Sequence, residues 1–262
     1  MTSTEKLNAF LTIIRKEVER FTRIWLQTLV SPAIMIALYF VTIGVIIGSR
    51  IGEMGGYGFL QWMVPGMVMM SVINNSYSNV LSSFFNVKFQ KSIEELLITA
   101  IPNYIILAGW VFGGMARGIM VSIIVVIVSL PFADLHVQNW SLTFLVIILT
   151  SILFSIAGFL NALFAESFDD VSIVPTFILT PLSYLGGIFY SIDVLPEFWR
   201  TISLGNPILY MVNALRHGVL GSSDLSTMGM SVSFAILMIS IFILVLFLIA
   251  LWFLNRGKGI RT

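Results

Sequence analysis

The sequence predicts an all-α membrane protein: six transmembrane helices, an N-terminal amphipathic interface helix, and an outer re-entrant helical hairpin between spans five and six. Three observations predict it. The 262 residues are 58% hydrophobic and 10% charged, with a mean hydropathy of +0.98, whereas soluble domains carry about 25% charged residues. The charges gather into short clusters, leaving 24–49, 54–87, 135–165, 171–192 and 225–255 with none and 96–133 with only Arg117. The runs 123–128 and 236–251 are apolar on every face, where a barrel strand would alternate apolar and polar positions.

A membrane helix needs about 20 apolar residues, so each stretch supports one span. The expected spans are 25–48, 59–85, 104–130, 140–164, 171–191 and 229–254, in a single domain covering 1–262. The first 20 residues hold too many charges for a cleavable leader, so the chain is expected to start at Met1. Residues 1–23 read as a helix lying in the interface. Leu7, Phe10, Leu11, Ile14, Val18 and Phe21 form its apolar stripe, and Lys6, Arg15, Lys16, Glu19 and Arg20 face anionic headgroups. Basic residues outside the spans divide ten against three, which places both termini in the cytoplasm. The acidic turn at Glu166, Asp169 and Asp170 weighs little in that rule.

The cytoplasmic loop 88–103 reads KFQKSIEELLITAIPN. Ser92 is expected to cap a short helix whose first turn carries Glu94 and Glu95. Ile93, Leu96 and Leu97 give it an apolar stripe. Such a helix outside the membrane either docks on a partner or rests on lipid and neighbouring spans. Span two carries a polar stripe, Ser71, Asn75, Ser78, Asn79 and Ser82, flanked by Asn74, Ser76 and Ser83. Amides and hydroxyls in hydrocarbon pair across helices or face water, so the stripe either lines a translocation path or bonds helices together. Arg117 lies about 20 Å into span three by helical rise. At that depth it should face a partner, a water-filled cleft or a substrate anion.

Pro175, Pro181, Gly186 and Gly187 should bend or break span five. In 193–221, Pro196 can start one helix and Gly205 end it, and Asn206-Pro207 can start a second that runs to about Gly218. Phe198, Trp199, Ile202, Ile208, Leu209, Tyr210 and Leu215 make this segment too apolar for a free loop, so the pair is expected to dip into the outer leaflet. No phosphate loop of the G-x-x-x-x-G-K type is present, so ATP hydrolysis by that route is not expected of this chain. His136 and His217 have no neighbour at metal-ligand spacing, so no metal site is expected.

These residues carry a family resemblance. Pro207-Ile208-Leu209-Tyr210, followed after five residues by Arg216 and preceded by LGGIFY at 185–190, resembles the signature of the ABC-2 type transport permeases of bacterial inner membranes. QKSIEELLITAIP at 90–102, FAESFDDVSIVPTFILTPLSYLGGIFYS at 164–191 and NPILYMVNALRHG at 206–218 extend it along nearly the whole chain. The resemblance implies a permease subunit that pairs with a second copy of itself and rests on two copies of a soluble ABC ATPase, which hold the ATP and Mg²⁺. Lys91, Ser92, Ile93, Glu94, Glu95, Leu96 and Leu97 would then be the coupling helix, with Phe168, Asp169 and Asp170 as a lesser contact. The outer hairpin, with Pro196, Trp199, Pro207, Tyr210 and Arg216, would cap the exit. By residues alone, a non-transport membrane partner of an ATPase and a secondary transporter stay open. The span-two stripe argues against the first, and the lack of paired ionisable groups at mid-membrane argues against the second.

Overall fold

The computed structural model describes residues 1–225, 229–257 and 259, and leaves the side chains of Val45, Ile47, Ser49, Glu94 and Leu97 undescribed. Lys258 and Arg261, counted above for orientation, lie outside the described residues. The first helix, α1, spans Ser3–Arg23. Its start is fixed by a reciprocal cap: Glu5 N–H donates to Thr2 Oγ1 and Thr2 N–H donates to Glu5 Oε2.

Span one is wound unevenly. A π-helical turn at Leu26–Val30 precedes α2 (Ser31–Tyr39), and a second π-helical stretch at Phe40–Ile47 precedes α3 (Gly48–Ile51). Pro32 explains the first. Its ring would strike the carbonyl of Thr28 in a regular α-turn. The wider turn, closed from Ser31 N–H to Leu26 O, makes room. A small hairpin follows, β1 (Glu53–Met54) against β2 (Tyr57–Gly58). Its two turn residues, Gly55 and Gly56, both take positive φ, as this tight turn requires.

The long helix α4 (Phe59–Phe89) is the central post. Its 31 residues reach about 46 Å at 1.5 Å per residue. Trp62, Met63, Met67, Val72, Ile73, Val80 and Phe84 along it are almost fully buried. A short helix α5 (Ser92–Ile98) leads into α6 (Asn103–Ser129), then α7 (Trp140–Phe164), both packed on α4. Span five repeats the device of span one. After α8 (Phe168–Val174), the π-helical turn Pro175–Leu179 comes just before Pro181 in α9 (Thr180–Leu185). Here both the N–H and the hydroxyl of Thr180 return to the Pro175 carbonyl. The expected break comes at the end of α9, where Gly187 has a φ of +70°.

Then come α10 (Glu197–Leu204), α11 (Pro207–Leu220) and α12 (Val232–Asn255). Pro196 and Gly205 bound α10, as expected. Asn206 Oδ1 accepts from Ile208 N–H at 3.0 Å and starts α11. This helix runs two residues past Gly218, to Gly221 in the left-handed conformation. Among the described residues, four helices are long and apolar enough to cross a membrane: Leu26–Gly44, Asn103–Ser129, Trp140–Phe164 and Val232–Asn255. The described residues are therefore those of an all-α membrane protein apart from one two-stranded hairpin.

The interface helix differs from the expected one. Its buried face is Ile13, Glu17 and Phe21, packed on α6, while Leu7 and Leu11 are exposed. Gly109 and Gly113 of α6 supply the reason. A Cβ at either would collide with Ile13 or Glu17, so these glycines admit α1 into the bundle along a face rotated from the stripe read in the sequence.

Candidate functional site

Three groups of residues hold the polar chemistry, one at each end of the bundle and one along its middle. At one end, α4 stops at Phe89 and the chain turns through Gln90 and Lys91. Lys91 takes a left-handed φ of 59°, an uncommon state for a residue with a Cβ. This corrects the expected cap. Lys91 occupies the N-cap position, and Ser92 is the first helical residue, its hydroxyl donating back to Val87 O at 3.2 Å. The α4 helix ends too close to α5 for Ser92 to precede it. Of the two readings of the apolar stripe, Ile93 and Leu96 follow the one in which it rests on neighbouring spans. Ile93 is buried against the bundle and Leu96 is half-buried, so these two fasten α5 down. Glu95 and Ile98 are exposed, Ile98 at 85%. Glu94 and Leu97 are helical in backbone, with side chains outside those described.

The 168–170 turn packs on the end of α4, just before α5. Phe168, itself 60% exposed, meets Phe89 edge-on at 5.0 Å and Phe85 at 5.1 Å. The two segments that sequence reading treated separately thus share one aromatic cluster. Asp170 caps α8: it accepts from the backbone N–H of Glu166 and Ser167, and its own N–H donates to Ser167 Oγ. The Ser167 hydroxyl and those two N–H groups hold its carboxyl below the usual carboxylate range. Asp169 is left exposed. Lys88 Nζ donates to the carbonyls of Leu163 and Ala165 at 2.6 and 2.8 Å, where the negative end of α7 favours a cation.

Along the middle, the polar stripe of α4 splits into two rows one residue apart. Ser71, Asn75, Asn79 and Ser83 are buried, whereas Asn74 and Ser82 are half-buried and Ser78 is exposed. The buried row bonds helices together. Arg20 of α1 donates through Nη2 to both Asn79 O and Asn79 Oδ1 at 2.8 Å. Ser83 Oγ donates to Glu17, and Trp110 Nε1 of α6 donates to Ser83 Oγ at 3.2 Å. Arg117 Nη2 donates to Asn75 Oδ1 at 3.0 Å, so an amide of the neighbouring helix is a partner of Arg117. Glu17, fully buried between Lys16 and Arg20, was missed in the sequence. Its signal was there: an acid in register with Ile13 and Phe21. Ser71, Asn74 and Asn75 line a cavity of about 150 Å³ between α2 and α4. A larger cavity, about 460 Å³ between α4, α6, α7 and α11, is lined by apolar side chains with only Ser122 and Thr143 as hydroxyls.

At the far end, α11 is buried along almost its whole length. Arg216 lies fully buried with its guanidinium 4.2 Å from the centre of the Trp62 ring. It donates to Gly187 O at 2.9 Å, to Asn213 Oδ1 at 3.3 Å and to Trp62 O at 3.4 Å, and stands 3.7 Å from Asp224. Asp224 accepts from Ser191 Oγ and Ile192 N–H. Asn206 Nδ2 donates to Leu182 O, and Tyr210 OH to Leu204 O. Pro207 opens this fastened helix. Trp199 and Phe198 on α10 are exposed, against the burial of α11. Asp224 and Asn213 were not singled out in the sequence. An acid in an apolar flank eight residues past Arg216 was the available sign.

A model of the ABC-2 type transporter family matches residues 8–220. The chain is 50% identical over 254 residues to the "Inner membrane transport permease YadH" of Escherichia coli strain K12, covering 97% of each. It is 21% identical over 185 residues to "Nodulation protein J" of Rhizobium leguminosarum bv. viciae, covering 70% of this chain and 71% of that protein. The same protein of Rhizobium meliloti strain 1021 is 22% identical over 189 residues, 71% of each chain.

Proposed function

Because the chain belongs to the ABC-2 type transporter family as an inner-membrane transport subunit, we propose that it is the permease half of an ABC exporter, driven by a separate soluble ATPase that binds at α5. The observation that carries this is the exposed aromatic pair Phe89 and Phe168, where the 168–170 turn packs on the end of α4, with α5 following in the chain and exposing the side chain of Ile98. An exposed apolar surface backed by a pinned helix suits a docking partner. Lys91, Glu95 and Asp169 would rim it. In this reading six segments cross the membrane: span one, α4, α6, α7, the 168–185 run and α12. A second copy of the chain completes the path, two ATPases bind ATP and Mg²⁺, and α10 with α11 caps the outer exit. The accessible row Asn74, Ser78 and Ser82, with Ser71, is the part of the stripe that faces the path.

The test is co-purification with the ATPase and stimulation of its rate. Ile98→Asp with Phe168→Asp adds two carboxylates to the contact while sparing the buried Ile93. Each carboxylate buried without a partner costs about several kcal/mol. The double variant is expected to insert and fold but to lose ATPase binding. Binding and stimulation equal to the original chain would refute the docking surface. Orientation is tested separately. The chain has no Cys, so single cysteines at Thr4 and Ser222 can be probed with an impermeant thiol reagent on intact cells. Labelling is expected at 222 and not at 4; the reverse would invert the topology.

A further inference from the structure

The cleft between α6 and α7 is a space that the chain does not fill. It is the cavity of about 460 Å³ whose floor is Val64 and Val68 of α4 with Leu215 and Val219 of α11, all buried. Its mouth is formed by Ile123 and Ile127 of α6 and by Trp140 and Phe144 of α7, which are 46–60% exposed. Both helices are long and apolar enough to cross a membrane, so the mouth is continuous with the surface that meets lipid. Among the described residues, no charged side chain lines the cleft. Its two hydroxyls are already engaged: Ser122 Oγ donates to Ile119 O at 2.7 Å and Thr143 Oγ1 to Asn139 O at 2.9 Å. Nothing in it asks for a polar ligand atom, so its occupant is hydrocarbon.

The size selects which hydrocarbon. The lining runs from Ser122 to Leu130, about 12 Å at 1.5 Å per residue. Spread over that length, 460 Å³ is a cross-section of about 40 Å², half the roughly 80 Å² of a helix about 10 Å across. A helix of a second copy therefore does not fit. By volume the cleft is about three times the apolar cavity that takes one benzene, which is room for a single acyl chain. The space is also held open. In the connection between α6 and α7, Leu135 and Val137 line the cleft, while Asp134, His136 and Gln138 line a separate pocket of about 130 Å³. That connection is pinned at both sides. The N–H groups of Gln138 and Asn139 donate to the Val219 and Gly218 carbonyls of α11, and Gln61 Nε2 of α4 donates to Asp134 O at 2.9 Å. The rim is thus not free to fold down into the cleft.

We propose that this cleft is a site for one acyl chain of a membrane phospholipid, entering past Trp140 and lying against Leu215 and Val219, with the headgroup left at the level of Asp134 and His136. Trp140 stacks on Phe144 at 6.0 Å at the start of α7, where the end of a membrane helix favours tryptophan. The bound chain braces α11. Leu215 and Val219 stand on either side of Arg216, which holds Trp62 and Gly187, so filling the cleft supports the contact of α11 with α4. The lipid here is a resident ligand and not cargo, and neither the site nor its test uses the transport reading.

The purified full chain, stripped of lipid in detergent, is offered dipalmitoyl or dihexanoyl phosphatidylethanolamine. Retained lipid is read by native mass spectrometry, together with the unfolding midpoint. The original chain is expected to retain the dipalmitoyl lipid about tenfold over the dihexanoyl one, to retain dipalmitoyl phosphatidylglycerol equally well, and to gain in midpoint as it binds. Val126→Trp puts an indole into the middle of the cleft. It should keep its midpoint without lipid, and lose both the retained lipid and the gain. Ile123→Ser with Ile127→Ser changes only exposed mouth residues, so it folds, and its retention should fall about tenfold. Leu244→Trp, exposed on α12 away from the cleft, is the control and should retain the lipid. No retained lipid in the original chain, retention equal to the original in either folded cleft variant, or a headgroup preference without a chain-length preference overturns the proposal. Loss of dimers in Val126→Trp with no loss of lipid overturns it in favour of a second copy of the chain.

Discussion

Arg216→Met is expected to lower the stability of the folded chain by about 3–5 kcal/mol, read as a fall in its unfolding midpoint in detergent. The change keeps most of the aliphatic bulk and removes the charge. It leaves Asp224 buried without its cation, and it strips Gly187 O and Asn213 Oδ1 of a charged donor. Removing one member of a buried pair costs more than the pair itself contributes. Arg216→Met with Asp224→Asn should therefore recover much of the loss, because the amide needs no counter-charge and can still accept from Ser191. A single variant as stable as the original chain would show that the guanidinium is not what holds the end of α9 to α11. A double variant no better than the single would show that the hydrogen bonds to Gly187 and Trp62 matter more than the charge balance.

Gly66→Val is expected to cost about 3 kcal/mol, at the upper end for overpacking. A Cβ on Gly66 would collide with the carbonyl oxygen of Ile188, and would come within 2.8 Å of its carbonyl carbon and 2.9 Å of its Cα. These are backbone atoms, so no side-chain rotation relieves the clash. The segment after Gly187 would have to leave α4 and take the Gly187 carbonyl away from Arg216. The costs of Gly66→Val and Arg216→Met should then fail to add, because both open the same contact. Gly205→Ala is the control. Its Cβ would meet only the Ile202 carbonyl oxygen, at 3.5 Å, and should leave the midpoint nearly unchanged. A Gly66 variant as stable as this control would show that the close approach of α4 and the 186–189 segment is not required.

The elements whose signals are local were legible in the sequence. The long apolar helices, the Asn206-Pro207 start of α11, the Pro196 and Gly205 bounds of α10 and the stop near Gly186 and Gly187 depend on charge, hydropathy and turn residues a few positions apart. The β1–β2 hairpin was equally local in its Gly55-Gly56 turn and went unread, lying between the expected spans 25–48 and 59–85. The uneven winding of span one had its cue in Pro32, which repeats the pattern at Pro181. Lys91 in the left-handed state had no cue, since nothing in its neighbours specifies that turn without α4 and α5 in place.

By itself the sequence determined that lipid is the solvent, where the apolar helices run, and which short segments stand outside them, because too little charge and too many continuous apolar runs leave no soluble alternative. Only the tertiary structure decided which polar residues are already engaged. Asn79 and Ser83 are taken by α1 and α6, while Ser78, one residue before Asn79, stays exposed. Adjacent residues on a helix point about 100° apart, so the burial of each row depends on where α1 packs. That packing rests on Gly109 and Gly113, each 96 residues along the chain from its contact, Ile13 and Glu17 respectively. Arg216 follows the same rule: its partners Trp62 and Gly187 come from two distant segments and Asp224 from the turn after α11, and no periodicity within one helix specifies which of them a buried charge will meet.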